Sequence, residues 1–131
     1  MNFLELLVEY NKDTKITKEN IQSKLYDIPV LVGKYQKYLY QWRRQFIKVE
    51  SEKNELYRKK YHHYKYDYNK TLDSKEIKWH IETDEEFSKI ESRYQILKSE
   101  VDQIQEMIKH CMNLSFFCRN IIDWEQFMNG K

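Results

Sequence analysis

Apolar residues recur through the middle of the chain at alternating steps of three and four: Val32, Tyr35, Leu39, Trp42, Phe46, Val49 and Leu56, with Lys53 as the single interruption. Such a heptad seam lays one continuous apolar strip along one side of an α-helix. The spacing predicts a long helix over residues 30–68, roughly 55 to 60 Å at 1.5 Å per residue. Beyond Leu56 the seam positions become Lys60, His63 and Asp67, while Tyr57, Tyr61, Tyr64 and Tyr68 form an aromatic stripe one residue out of phase. The distal end of this helix therefore changes its preferred face or leaves the core. A second seam, at Phe87, Ile90, Tyr94, Leu97, Val101, Ile104, Ile108 and Cys111, runs unbroken for about four heptads.

Shorter elements flank these two. Phe3, Leu4, Leu6, Leu7 and Tyr10 sit mostly at helical spacing and predict a short amphipathic helix. Thr17, with Glu19 and Asn20 behind it, is placed to cap a second short helix carrying Ile21 and Leu25, and Pro29 marks a boundary because it cannot continue the hydrogen-bond ladder. Pro also suits the first turn of the helix that follows. Between Asn69 and Ser74 the pattern lapses. Ile77, Trp79 and Ile81 then alternate with Lys78, His80 and Glu82, which predicts a short strand near residues 76–82. One strand is not stable alone, so it must pair with another chain or lie against helices. Thr83 to Glu86 has the form of a capping box, and the acids Asp84, Glu85 and Glu86 read first as a helix start. Asn113 is the expected stop of the second long helix, and Ser115 the cap of a last amphipathic helix from Phe116 to Met128, ending at Gly130.

The expected fold is thus mainly α: an elongated helical protomer with two heptad-bearing long helices, short flanking helices and one short strand. A single domain spans 1–131, comprising N-terminal helices (1–28), a long basic helix (30–68), and a strand with C-terminal helices (75–131). Two seams in so short a chain leave apolar edge to cover, and self-assembly covers it economically. The residues expected to serve oligomerisation are Ile77, Trp79 and Ile81 on the strand and Phe116, Ile121, Trp124 and Phe127 near the C-terminus.

Composition supports long helices with few turns: Gly occurs twice, Pro once, and charged residues make up 34% of 131. Alanine is absent while Lys, Asn, Ile and Tyr abound, which reads as an AT-rich coding bias. The net charge of +2 hides a division along the chain. Residues 1–33 carry four Lys against five acids (−1), residues 34–70 eleven Lys and Arg against four acids (+7), and residues 71–131 eight against twelve (−4). A polyanionic partner belongs to the middle segment, and an acidic remainder limits indiscriminate binding. Cys111 and Cys118 lack the further Cys or His of a zinc site and read as small buried apolar residues. The first ten residues have no basic leader and are interrupted by acids, so neither a signal peptide nor a membrane span is expected, and the protein is expected in the cytosol.

Lys34, Lys37, Arg44 and Lys48 follow one another at helical spacing on a face distinct from the seam, with no compensating acids along that track. Farther on, Tyr57 to Lys70 interleaves rings with positive charges, as a surface for single-stranded nucleic acid would: cations meet phosphates and flat rings stack on unpaired bases. On this reading Arg58, Lys59, Lys60 and Lys65 contact the backbone, and Tyr61 and Tyr64 are stacking groups. The alternative is that the tyrosines are the buried face of a bundle helix with a solvated basic back, in a helical oligomeric adaptor without direct nucleic-acid binding. A nucleotide-metabolising enzyme would need a metal or phosphate site. No glycine-rich loop is present, and His62 and His63 point to different sides of a helix without a third ligand. No catalytic residue, metal or cofactor is expected.

Several segments in order complete the picture: an early Asp13; Gly33-Lys34-Tyr35 at the entry to the long helix; Val49-Glu50-Ser51-Glu52-Lys53 running through Leu56, Arg58, Lys60 and Tyr64; and the ending Ile121, Trp124, Phe127, Gly130, Lys131. Over nearly its whole length the chain resembles the UvsY recombination-mediator family of T-even-type bacteriophages. That resemblance implies a non-enzymatic protein that binds single-stranded DNA and assembles as a ring, a homo-oligomer of heptamer type. It also implies help to a phage recombinase in replacing the single-strand-binding protein, in the cytoplasm of an infected bacterial host. Arg58 and Lys60 correspond to the family's DNA-contacting Lys and Arg, with the charges kept and the residue types exchanged. His63 and Tyr64 stand where the family has a tyrosine pair, and Lys65 to Asn69 replace its glycine-rich segment.

Overall fold

The computed structural model describes residues 1–130, and among these it contains four α-helices and no strand. In chain order they are α1 (Phe3–Asp13), α2 (Ile21–His62), α3 (Ser74–Glu82) and α4 (Glu85–Met128), with a π-helical turn, His63–Asp67, at the end of α2. The chain divides into two compact units, one formed by Met1–Tyr40 with Asp102–Lys131 and the other by Gln41–Val101. Lys131, the last residue of the C-terminal resemblance, lies outside the described residues.

In the first unit, α1 begins where the Asn2 side chain accepts the Glu5 N–H at 2.8 Å, and ends as the Thr14 hydroxyl donates to the Tyr10 carbonyl at 2.7 Å. Its buried residue is Leu6. Thr17 and Asn20 exchange hydrogen bonds, N–H to Oδ1 at 2.7 Å and N–H to Oγ1 at 3.2 Å, and α2 starts directly after them. Contrary to the boundary expected at Pro29, α2 runs straight through it. Two things permit this. Pro29 is exposed, so its ring takes no place in the core. Meanwhile Ile21 and Ile28 pack with Leu114 and Cys118, with Leu25, Val32 and Ile122 against them, and this core holds both sides of the proline in one helix.

The same core explains a second departure. Asn113 was the expected stop of the second long helix, yet α4 continues to Met128. Leu114 and Cys118 are the next two buried positions after Cys111, so the seam itself carries on. Ser115, expected as a cap, instead donates from its hydroxyl back to the Met112 carbonyl at 3.1 Å. Gly130, with φ at +74°, supplies the left-handed conformation that follows a helix end. Cys111 and Cys118 are buried free thiols, as expected.

In the second unit the expected strand is a helix. The Asp73 carboxylate accepts the Glu76 N–H at 2.8 Å and opens α3. Ile77 and Ile81 lie four apart, on one helical face, so two of the three alternating apolar residues satisfy a helix as well as a strand, and the cap decides between them. Both are buried with Phe87, and Leu56, Tyr57, Tyr61, Tyr64, Leu72 and Ile90 pack against them. The capping box is displaced by one residue: Thr83 donates from its hydroxyl to the Trp79 carbonyl at 2.8 Å, closing α3, and Asp84 caps α4 by accepting the Phe87 N–H at 3.0 Å. No helix of the described residues is long and apolar enough to cross a membrane.

Candidate nucleic-acid interface

The cations of α2 divide according to which side of the helix they occupy. On the seam side of the Gln41–Val101 unit, Trp42 and Val49 are buried and Phe46 stacks on Tyr94 at 5.1 Å. The Trp42 indole donates to Glu100 at 3.0 Å. Lys53, the interruption in the heptad pattern, is accommodated by a carboxylate and a ring: its ammonium lies 2.7 Å from Glu91 and 3.9 Å from the centre of Tyr94. Lys53, with Gln95, holds the Glu91 carboxyl below its ordinary pKa.

Lys60 comes seven residues later, at the same seam position. Its ammonium is 3.0 Å from Glu86 and 3.3 Å from Asp84, and the Lys60 and Asp84 side chains are only 24% and 15% exposed. Hydrogen bonds that Lys60 donates to Glu86 and then to Asp84 raise its pKa against the opposing effect of burial. The Asp84 carboxyl is held low, first by the Phe87 N–H it caps and also by Lys60. Of the two family-type cations, then, Lys60 ties α2 to the start of α4. Arg58 is exposed.

Lys34, in the other unit, is similarly engaged. Glu9 and Asp13 of α1 lie 2.5 and 2.6 Å from its ammonium, and the same acids accept from Tyr38 and Tyr35, each at 3.0 Å. Burial pulls the Lys34 pKa down, but these hydrogen bonds outweigh it and leave it raised. Thus the track does have compensating acids. They come from α1, where no inspection of α2 would find them.

The opposite side of α2 is different. Arg44, Lys48, Arg58 and Lys59 are exposed, as is Lys37 in the first unit. Lys59 makes a surface pair with Glu55 at 3.5 Å. Successive positions at steps of about three, four or seven residues from Arg44 fall on the face away from the seam. Arg43, beside that track, is exposed too. Lys65 in the π-helical turn lies 5.3 Å from the ring centre of Tyr66 and 5.8 Å from that of Tyr61.

The tyrosine stripe divides along its length. Tyr57, Tyr61 and Tyr64 are half-buried against the Ile77, Ile81 and Phe87 core. Tyr61 and Tyr64, expected as stacking groups, each give part of their surface to this core. Tyr66 and Tyr68 are exposed. Among the expected oligomerisation residues, Ile77 and Ile81 serve the chain's own core, because α3 turns them inward. Trp79, Phe116, Ile121, Trp124 and Phe127 are exposed, and Trp124 and Phe127 stack at 5.9 Å.

These features define a class: an α-helical protein with a long basic helix whose seam-side cations Lys53 and Lys60 are paired and whose outward cations are exposed. Within that class the chain belongs to the UvsY family, since the family profile described as "Recombination, repair and ssDNA binding protein UvsY" matches residues 9–131. Two crystal structures of the bacteriophage T4 recombination mediator protein UvsY share the fold. The lattice type IV structure matches with a TM-score of 0.86 at 18% identity, over 98% of this chain and 99% of that one. For lattice type II the TM-score is 0.83 at 18% identity, over 98% of both chains. No curated protein sequence matches.

Proposed function

We propose that this protein binds single-stranded DNA on the outward face of α2 in the Gln41–Val101 unit, through Arg44, Lys48, Arg58 and Lys59, extended by Lys65. On this reading it acts as a recombination mediator: it reshapes the strand, weakens the grip of the single-strand-binding protein and helps a strand-exchange recombinase to load. The supporting observation is the sorting of cations on α2, with Lys53 and Lys60 neutralised on the seam side while Arg58 and Lys59 stay at the surface. Lys34 and Lys60 serve as framework cations in this scheme. Weak contacts from one protomer add up when the same face is repeated in a ring, for which a heptamer is the family-type expectation.

Titration of a labelled oligonucleotide over a range of salt tests the proposal. Four phosphate contacts per protomer give a log–log salt slope near −2.8, hence an affinity loss of about fiftyfold between 50 and 200 mM salt. Binding that ignores salt, or no binding at low salt, would favour the adaptor reading in which the basic face is merely solvated. Displacement of single-strand-binding protein from the same oligonucleotide tests the mediator role.

A further inference from the structure

α3 and the π-helical turn bring together a set of rings at the edge of the Ile77, Ile81 and Phe87 core. Tyr64 and His80 stack nearly parallel, with centres 5.0 Å apart and 19° between planes. Tyr68 closes on both, 5.4 Å from each. Trp79 meets His80 edge-on at 5.2 Å and 76°. The inner ring, Tyr64, rests on the Ile77, Ile81 and Phe87 core, so the set is anchored. Its outer members are open to solvent: Trp79 is 61% exposed and Tyr68 36%.

The outward position of Trp79 follows from the helix. Ile77 and Ile81 take the inner face, and a residue two positions from each is turned about 200° away. An indole there adds little to the core of the protomer, while its exposure is a cost that a partner would relieve. The charge around it indicates which partner. Of the seven Lys and Arg from Arg58 to His80, Lys59, Lys60 and Lys78 pair with carboxylates, while Lys65 and Lys70 are both exposed with no ion pair to an acid among the described residues. An apolar protein surface would have to desolvate those ammonium groups, whereas an unpaired nucleobase brings its own phosphate.

We propose that Trp79 and Tyr68, backed by His80 and Tyr64, form a stacking site for unpaired bases of single-stranded nucleic acid, separate from the phosphate contacts on the outward face of α2. This rests on the single-strand-binding reading above and adds a base contact to it. Rings already held by their neighbours lose little freedom when a base covers them. One stacked base is worth about tenfold in affinity.

Two oligonucleotides of equal length test it: oligothymidylate, and a strand of abasic residues carrying the same phosphates. The expected result is that the wild-type protein prefers oligothymidylate by about tenfold or more. Trp79→Ala and Tyr68→Ala each remove most of that preference without changing abasic binding or the salt slope, and Trp79→Phe retains much of it. Trp79→Lys gives a sharper arm, because an added cation strengthens abasic binding while the preference for bases falls. Equal affinity of the wild type for both strands overturns the stacking site and leaves the phosphate face intact. Equal losses on both strands, or a loss explained by a changed particle mass in light scattering, would assign Trp79 to assembly and also overturn it. Binding of neither strand overturns both this site and the single-strand reading.

Discussion

Two of the exposed helix faces of this protein are made of opposite materials. In the Gln41–Val101 unit the outward side of α2 presents Arg44, Lys48, Arg58 and Lys59. In the other unit the C-terminal part of α4 presents Phe116, Ile121, Trp124 and Phe127, with Trp124 62% and Phe127 70% exposed. A cationic face is stable in water as it stands and keeps its charge for a polyanion. An apolar face of this size carries a standing cost of about 25 cal/mol for each Å² left in water. Exposure therefore means different things in the two places. We expect the first face to meet DNA and the second to meet another copy of the chain.

The largest effect should come from charging the apolar face. Trp124→Glu with Phe127→Glu is expected to lower the mass seen by light scattering to that of the 16.4 kDa protomer. Affinity for a long single strand should then fall by a hundredfold or more, through lost avidity alone. An assembly that survives both substitutions would show that α4 is covered by something other than a second copy.

A smaller effect is expected from the cationic face. Arg58→Ala with Lys59→Ala should weaken oligonucleotide binding by about tenfold and make the salt slope shallower by about 1.4, at unchanged mass. If the slope stays where it was, these two residues do not touch phosphate and the contrast between the faces fails.

Lys60→Ala sharpens the contrast from inside. Because this cation is held by Asp84 and Glu86, its loss should cost about 1 kcal/mol in a urea melt and leave the salt slope of DNA binding intact. A weaker slope at unchanged stability would instead return Lys60 to the DNA-contacting set.

The smallest effect is one of pH. Asp84 has a lowered pKa, so its contribution to stability is present above the ordinary carboxylate range and is lost as pH falls through its depressed folded value. Lys60 has a raised pKa, so its contribution is full below the ordinary lysine range and is lost as pH rises through its elevated folded value. Thermal melts across pH should show the tether working at neutrality and failing at both extremes. In Lys60→Ala the alkaline loss should vanish, and the acid loss should shrink to the part owed to the Phe87 N–H.

Much of this was legible in the order of residues. The two heptad seams located both long helices, because a strip of apolar side chains at steps of three and four can be buried only along one side of a helix. Lys60, expected among the DNA contacts, lies at a seam position seven residues after Lys53 and is held by Asp84 and Glu86 instead. Where elements begin and end was less legible. Pro29 and Asn113 are local signals for ending a helix, and both were overridden by one core of Ile21, Ile28, Leu114 and Cys118, whose members lie far apart in the chain. The Ile77, Trp79, Ile81 pattern fits either periodicity over so short a span, and the Asp73 cap with the packing of Ile77 and Ile81 resolved it as a helix.

By itself, then, the sequence determined the helical class, the seams and the concentration of positive charge in the middle of the chain. These follow from local periodicity and composition. Tertiary structure alone decided which charges remain available: the acids that neutralise Lys34 come from α1, and those that neutralise Lys60 come from the start of α4. Pairing acts over a few ångströms of space and takes no account of separation along the chain.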